Sequence, residues 1–204
     1  MSIEIDFRGL EGLENAVYSM RMPYMSHSKS DSYIAKNGNF VVGVNDWKLM
    51  LNLCNSGPEH RKFMRMINAY FEIKAPLYWW KEFDTYKVAT VTNSSSTMHT
   101  LHKRNLTLDD FSIDKLFEES KLSLLNIINR INYCRVKYEA TGDKIYWYNM
   151  VQMLPSSYMQ ARVVMLNYET LRNIYCQRKN HKLDEWKKLC LVIQDLPCSD
   201  LLTT

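Results

Sequence analysis

Residues 158–178 read YMQARVVMLNYETLRNIYCQR. The first part alternates over residues 161–165, where Ala, Val and Met are separated by Arg and Val, and this pattern predicts a β-strand from Tyr158 to Leu166. The second part returns to helical spacing, with Leu171, Ile174 and Tyr175 apolar, and predicts a helix over residues 168–178. A strand followed directly by a helix indicates a chain that mixes both kinds of element, and we predict an α+β fold.

The polar residues of this stretch can be interpreted in two ways. They are Asn167, Arg172, Asn173 and Arg178. An asparagine amide can match the donor and acceptor edge of a heterocycle, and a guanidinium group offers a fork of donors to a phosphate. A solvated helix face explains the same residues, and spacing alone does not decide between the two interpretations.

The rest of the chain also mixes strand and helix patterns. Alternation predicts strands over residues 3–7, ending at Gly9, and over residues 68–74, leading into Ala75-Pro76; residues 88–97 indicate a loop or an irregular strand. Helical spacing is found over residues 45–52 with Asn45 as the cap, 77–87, 113–137, 143–153 and 183–196. No linker or repeat separates these elements, so we expect a single domain over residues 1–204.

Composition excludes several classes of protein. The chain has 204 residues, 46% of them apolar and 24% charged, which is typical of a globular protein and excludes general disorder. A net charge of +4 is too small to indicate binding to duplex nucleic acid. No apolar run reaches the roughly 20 residues of a membrane span, and the N-terminus lacks the pattern of a signal peptide. The five cysteines form no C-x-x-C pair, so we expect buried free thiols and a cytoplasmic protein.

Common catalytic and metal-binding motifs are missing. The five histidines are scattered, and none belongs to a set with metal-ligand spacing. The sequence contains no G-x-G-x-x-G, no phosphate-binding G-x-x-x-x-G-K and no G-x-S-x-G. We therefore predict no metal site, no Rossmann or P-loop nucleotide site and no serine hydrolase elbow.

An aromatic segment at residues 77–87 is followed by a segment rich in Ser and Thr that extends to Thr97. The aromatic residues are consistent with a buried helix, in which case the hydroxyl groups lie on a solvated loop. They are also consistent with a wall for a planar ring, beside hydroxyl groups that donate to phosphate oxygens. Composition favours the buried helix.

Several short segments, taken in order, carry a resemblance. They are Ser56-Gly57-Pro58-Glu59-His60, Ala75-Pro76, Lys81-Glu82-Phe83, the trio Asn167, Asn173 and Arg178, and His181 with Asp184-Glu185-Trp186. In this order they resemble the Pro-Phe-Glu-His, Ala-Pro, Arg-Gln-Trp, Asn-Asn-Arg and closing segments of the flavin-dependent thymidylate synthases, the ThyX type. The resemblance covers most of the chain.

The arginine-rich signature of that family is altered. Its Arg-His-Arg is Thr85-Tyr86-Lys87 here, and Val151 and Glu169 occupy two further arginine positions. Because each charge-assisted hydrogen bond contributes roughly 1.5–3 kcal/mol, such losses would weaken nucleotide binding unless other cations compensate. The cations that could supply the missing positive charge are Lys81, Lys87, Arg162 and Arg178.

The resemblance implies a fold, a reaction and a set of ligands. The fold would be α+β, with an antiparallel or mixed sheet and flanking helices, in a homotetramer. The reaction would be methylation of dUMP at C5, with FAD as cofactor and with methylenetetrahydrofolate and NADPH as co-substrates. The residues expected near flavin are His60, Lys87, Asn167, Asn173 and His181, and those near the nucleotide are Glu82, Ser95 and Arg178. No residue is assigned as catalytic.

Two alternatives stay open. The chain could be an inactive relative that binds nucleotide or flavin or acts in assembly. It could also be a variant enzyme that modifies another pyrimidine nucleotide.

Overall fold

The structure is a computed structural model that describes residues 3–203, and it alternates strands and helices along the chain. The strands are β1 (Glu4–Glu11), β2 (Tyr33–Ile34), β3 (Phe40–Val41), β4 (Asn68–Pro76), β5 (Thr90–Ser94) and β6 (Met159–Asn167). The helices are α1 (Leu13–Met20), α2 (Val44–Asn55), α3 (Leu77–Phe83), α4 (Thr97–Thr100), α5 (Glu118–Thr141), α6 (Lys144–Gln152), α7 (Tyr168–Arg178), α8 (Asp184–Gln194) and α9 (Asp200–Thr203). The predicted α+β class is confirmed.

Two sheets organise the strands. Four strands form a sheet in the order β1-β4-β6-β5. The short strands β2 and β3 form an antiparallel pair in which Tyr33 lies opposite Val41 and Ile34 opposite Phe40. The strand β6 leads directly into α7, as the opening stretch of the sequence predicts.

The chain divides into two compact units. Within the described residues, the first comprises residues 3–5, Glu72–Thr85 and Thr92–Val163, and the second comprises Asp6–Phe71, Tyr86–Val91 and residues 164–203. The prediction of a single domain stays a prediction.

The first unit has its core beneath the long helix α5. Leu124, Ile128, Ile131 and Cys134 are buried along one face of α5, three or four residues apart, as an amphipathic helix requires. They pack in one cluster with buried residues of the neighbouring segments: Leu101, Leu106, Phe111 and Met150.

The aromatic helix α3 belongs to the interior of the first unit. Trp79, Trp80 and Phe83 are at most 1% exposed, and their ring centroids lie 4.9–5.2 Å apart. The buried-helix interpretation of this segment is therefore correct. The alternative, in which these rings form an open wall for a planar ligand, is wrong because no face of the three rings is free for one.

The second unit packs α7 against the C-terminal helices. Leu171 and Ile174 of α7 are fully buried, together with Trp186 and Leu189 of α8 and Leu202 of α9. Tyr168, the first residue of α7, is also buried, and its hydroxyl group donates to the carbonyl oxygen of Pro197. Burial raises the pKa of this phenol well above its usual value.

The turn between β1 and α1 is closely packed in the second unit. Gly12 has φ +84°, and a Cβ atom at this position would collide with the carbonyl oxygen of Met66. That carbonyl group ends the short 3-10 helix Lys62–Met66. Glycine is therefore needed here both for its conformation and for its size.

Some predicted boundaries are wrong. The first strand does not end at Gly9, because glycine there adopts φ +150° and β1 continues to Glu11. The helix α2 is capped by Gly43, not Asn45, and it runs on to Asn55. The long helix begins at Glu118, five residues after its predicted start at Ile113, because residues 113–117 form a turn and a cap.

Other differences concern elements too short for a periodic pattern. The strand β2 and the first residue of β3 fall within residues 25–40, where the polar sequence indicates a surface loop, and the helix α9 follows the predicted last helix. The segment after His60 forms a 3-10 helix over Lys62–Met66. Residues 90–94 are a strand, as one of the two interpretations of that segment proposed.

The cysteines are free thiols in the described residues. Cys54, Cys134 and Cys190 are buried as expected, whereas Cys176 is exposed and Cys198 is half-buried. Burial, with a smaller effect of Cys176, raises the pKa of Cys190 to about 11. Over residues 3–203, no helix is both long and apolar enough to cross a bilayer, and no group of three His, Cys, Asp or Glu residues could hold a metal ion.

Candidate functional site

A cavity of about 460 Å³ lies beside the first two turns of α7, within the second unit. Its lining residues come from α7 and its cap, from the segment that includes the 3-10 helix, and from the segment before β5: Asn167, Glu169, Thr170, Arg172, Asn173, Cys176, Arg61, Arg65, Val88 and Ala89. The volume is in the range of small-molecule and cofactor sites. We call it the α7 cavity.

Asn167 fixes the N-terminal end of the cavity. It has extended backbone angles and caps α7, because its Oδ1 accepts a hydrogen bond of 2.9 Å from the backbone N–H of Thr170. Asn167 is only 3% exposed, and its amide nitrogen has no acceptor among the described residues. The same side chain can therefore cap the helix and donate to a ligand.

The first turn of α7 also positions the segment before β5. The hydroxyl group of Thr170 donates to the carbonyl oxygen of Val88 at 3.2 Å. Val88 and Ala89 give the cavity an apolar side, and Ala89 has φ +53°. One turn further along α7, Asn173 accepts a hydrogen bond of 2.8 Å from Gln177 at its Oδ1, and its amide nitrogen has no acceptor among the described residues.

The lining residues include one ion pair. Arg61 Nε lies 3.1 and 2.9 Å from the two carboxylate oxygens of Glu169, and both side chains are 20% exposed. The two residues are 108 positions apart in the sequence. The pair fixes the segment before the 3-10 helix to the first turn of α7.

Two further arginines at the cavity have no carboxylate partner. Arg65 is exposed and forms no ion pair within the described part of the chain. Arg172 donates from Nη1 to the thiol of Cys176 at 3.5 Å, whereas its Nε is buried and has no acceptor among residues 3–203. A buried donor without an acceptor is uncommon in proteins, and it indicates a place where a ligand oxygen or a water can bind.

Two of the predicted flavin residues line the cavity. Asn167 caps α7, Asn173 lies six residues further along the chain on the helix, and both line the α7 cavity. Their predicted roles toward flavin stay predictions, but the structure brings the two amide groups to one site.

The other predicted flavin residues do not line it. His60 is exposed, with Nε2 3.5 Å from the carboxylate of Glu59. Lys87 is exposed next to the lining residue Val88. His181 follows α7, and its Nδ1 accepts a hydrogen bond of 3.2 Å from the backbone N–H of Leu183.

Arg178, predicted to bind the nucleotide, lies at the last turn of α7 among aromatic rings. Its guanidinium carbon is 4.6 Å from the ring centroid of Trp186 and 5.6 Å from that of Tyr86. Its Nε donates to the hydroxyl group of Tyr86 at 2.8 Å, and that hydroxyl group donates to Gln177 at 2.9 Å. Arg178 does not line the α7 cavity.

Glu82 and Ser95, the other predicted nucleotide residues, belong to the first unit. The carbonyl oxygen of Glu82 accepts hydrogen bonds from the backbone and the hydroxyl group of Thr85 at the end of α3. Ser95 is exposed, and its backbone is held by Ala161 and by the side chain of Gln160 at 2.9 Å each.

Sequence reasoning missed Arg61 and Arg65 as cavity residues. The available signal was a basic segment directly after His60, with the two arginines four residues apart. Arg172 was among the polar residues of α7, but its spacing gave no reason to prefer it over Arg178. Contacts across more than 100 residues of sequence, such as that of Arg61 with Glu169, leave no local pattern.

Comparison with solved structures decides the fold. Two crystal structures of ThyX from Helicobacter pylori, both complexed with FAD and dUMP, match this chain with TM-scores of 0.72 and 0.74. Each is 18% identical to it, and the alignments cover 98% of this chain and 96–97% of the other. The chain has the fold of a flavin-dependent thymidylate synthase. The expected ThyX-type fold is thus confirmed.

The ThyX fold is recognised by structure and not by sequence similarity. A scan of protein-family models and a search of curated proteins gave no match. Glu169 occupies one of the two positions at which the resemblance leads us to expect a further arginine. The charge at this position is reversed, and Arg61 is its partner.

Proposed function

We propose that this chain binds FAD in the α7 cavity and a pyrimidine nucleotide nearby, as a divergent flavin-dependent thymidylate synthase. One observation carries the proposal. Asn167 and Asn173, the two asparagines among the five residues that the resemblance assigns to flavin, line the same cavity, and the amide nitrogen of each has no acceptor among the described residues. The ThyX structures with the same fold hold FAD and dUMP.

The residues of the α7 cavity fit a phosphate-bearing cofactor. The amide groups of Asn167 and Asn173 can donate to the carbonyl or ring-nitrogen acceptors of a flavin. Val88 and Ala89 supply apolar contact, and the buried Nε of Arg172 needs an acceptor. A reduced flavin supplies the hydride needed to methylate a pyrimidine at C5; the protein supplies binding, orientation and electrostatics.

The remaining ligands follow from the reaction. The substrate would be dUMP or a related pyrimidine nucleotide, with methylenetetrahydrofolate as the one-carbon donor and NADPH as the reductant. Lys87, His60 and His181 are proposed to lie near flavin, and Glu82, Ser95 and Arg178 near the nucleotide. Arg178 would bind with its guanidinium group already packed against Trp186 and hydrogen-bonded to Tyr86, which lowers the entropy cost of binding.

The proposal is tested first by flavin titration. Wild-type protein is expected to bind added FAD, seen as quenching of flavin fluorescence and as a yellow protein after gel filtration. Asn173→Leu removes an exposed amide group and keeps helix-forming character, so it should weaken FAD binding without loss of helical circular dichroism. A wild-type protein that stays colourless at high FAD concentration contradicts the proposal.

A tritium-release assay separates binding from turnover. With FAD, NADPH and methylenetetrahydrofolate, release of tritium from C5-labelled dUMP would report the proposed chemistry directly. The same assay with labelled dCMP tests the variant enzyme.

A specific observation favours the second candidate, a relative that binds ligands without turnover. Tyr86 stands at the histidine of the Arg-His-Arg signature, is 8% exposed, and has its hydroxyl group engaged by both Gln177 and Arg178. A side chain held in this way acts in packing. FAD binding with no tritium release would support this second candidate.

A homotetramer is part of the proposal. The helix α5 has a second apolar stripe on the face away from its core, formed by Leu122, Leu125, Tyr133 and Val136, which are 36–62% exposed. The spacing of these residues places them on one side of a helix. An exposed stripe of this length supports contact with another copy of the chain.

A further inference from the structure

The α7 cavity has an excess of positive charge. Its lining includes three arginines, Arg61, Arg65 and Arg172, and one carboxylate, that of Glu169. Arg61 and Glu169 neutralise each other through their ion pair. The two remaining guanidinium groups therefore set the charge that a ligand meets.

Arg172 is placed for an acceptor that the chain does not provide. Its Nε is buried without an acceptor among the described residues, and its Nη1 has only the thiol of Cys176, a weak acceptor. The guanidinium group is always charged and has five donors in a planar fork. An anionic oxygen at this position would satisfy both the donor and the charge.

Arg65 adds a second guanidinium group from a different element. It lies on the 3-10 helix Lys62–Met66, whereas Arg172 lies on α7. Its side chain is exposed and makes no ion pair with any described residue, so binding an anion there breaks no existing contact. Two guanidinium groups, one on the 3-10 helix and one on α7, suit a ligand with two linked phosphates better than a ligand with a single carboxylate.

We infer that Arg65 and Arg172 bind the diphosphate group of the dinucleotide that occupies the α7 cavity. The inference rests on the proposed function, in which that dinucleotide is FAD. The ion pair of Arg61 with Glu169 is a positioning contact that holds the two elements together.

The test compares two flavins that differ in phosphate. FAD and riboflavin are each titrated into wild-type protein, Arg65→Met and Arg172→Met, with flavin fluorescence as the readout. Each substitution should raise the dissociation constant of FAD about tenfold to a hundredfold, the equivalent of one or two charge-assisted bonds, and leave that of riboflavin within about twofold. The matched control is Arg130→Met, which removes an exposed arginine of α5 and should change neither constant.

The variant Arg172→Lys tests whether the planar donor geometry of the guanidinium group contributes to binding. Arg172→Lys keeps the charge but not the planar donors, so it should fall between wild type and Arg172→Met for FAD. Without flavin, Arg172→Met should melt at or above the temperature of wild type, because it removes a buried donor that lacks an acceptor. This readout shows whether the variant is folded before any ligand is added.

The possible results distinguish failure of the inferred phosphate-binding role of Arg65 and Arg172 from failure of the proposed flavin binding. Equal losses of FAD and riboflavin affinity, or no loss of either, overturn the role of the two arginines in binding phosphate while flavin binding by the wild type stands. If wild type binds neither flavin, the proposed function fails, and calorimetry with inorganic pyrophosphate decides the inference. Pyrophosphate binding that is lost in both methionine variants would support an anion site, and no binding to wild type would overturn it.

Discussion

Asp46 is a buried carboxylate that connects three segments of the second unit. It is fully buried at the start of α2, and Arg21 Nε donates to it at 2.6 Å. The hydroxyl groups of Ser30 and Ser32 donate to its other oxygen, also at 2.6 Å. Burial alone would raise the pKa of Asp46, but these hydrogen bonds outweigh it and hold the pKa below its usual value.

A depressed pKa makes the contribution of Asp46 dependent on pH. Because its folded pKa lies below the unfolded value of about 3.9, its stabilising effect is complete above that pH and is lost as the pH falls through the folded pKa. We expect Asp46→Ala to lower the free energy of unfolding at neutral pH by about 3–5 kcal/mol, because it leaves Arg21 buried at 5% exposure without its partner. Urea denaturation at pH 7 and below pH 4 measures both effects.

The control for Asp46→Ala is Asp31→Ala. Asp31 is exposed, although backbone N–H groups also donate to it, so its replacement should cost much less. If Asp46→Ala retained the full acid sensitivity of wild type, the carboxylate would not be the group that titrates.

The asparagines and the arginines of the α7 cavity differ in how far the sequence alone reveals them. Asn167 and Asn173 were predicted because they keep the ThyX spacing on a helix that the pattern also predicts. Arg61 and Arg65 were not predicted, because their contribution depends on how residues more than 100 positions apart are brought together. Roles that depend on such contacts have no local sequence pattern.

At the scale of elements, β6 and α7 were predicted within one residue. Their alternating and helical patterns are long enough to be unambiguous, and Asn167 marks the boundary as a cap. The prediction is wrong where one residue was taken as a boundary, as at Gly9, and where strands of two residues, such as β2, leave no pattern. Short elements are fixed by tertiary contacts, which a local pattern does not contain.

Asn167 has two tasks in this element, and two substitutions separate them. Asn167→Ala removes the cap of α7 and should lower the free energy of unfolding by about 1 kcal/mol. Asn167→Asp keeps a capping oxygen, so stability should be retained, but it removes the amide donor and adds a negative charge to the cavity. We therefore expect Asn167→Asp to weaken FAD binding at wild-type stability, measured by urea denaturation and flavin fluorescence.

The result of Asn167→Asp is decisive for the role of this residue. Unchanged FAD affinity would assign Asn167 to capping alone and would leave Asn173 as the amide group of the site.

For the whole molecule, the fold was predictable and the assembly stays a prediction. The order of short segments along the chain indicated the ThyX fold, and the match over 98% of the chain bears this out. Subunit contacts leave no comparable order of segments, and the homotetramer was expected only because the resemblance implies it. The stripe on α5 appears only once its core-facing residues are known.

Replacing a leucine of the stripe by a charged residue tests the assembly. Leu122, 62% exposed on α5, and Leu191, 61% exposed on α8, are matched in residue type and exposure. Leu122→Glu places a charge in the proposed contact and should lower the molar mass in solution, whereas Leu191→Glu should not. Light scattering on a size-exclusion column measures both.

The same mass for Leu122→Glu and wild type, with wild type a tetramer, would place the contact elsewhere. A monomeric wild type would contradict the homotetramer itself.

The tight turn at Gly12 packs against the last residue of the 3-10 helix Lys62–Met66, the helix that also carries Arg65. Any larger residue at position 12 must push the backbone at Met66, the neighbour of Arg65. If Arg65 binds the cofactor as inferred, a larger residue at position 12 should also weaken that binding, although Gly12 does not line the α7 cavity. A new N-terminal strand grafted onto this scaffold must therefore keep glycine at position 12.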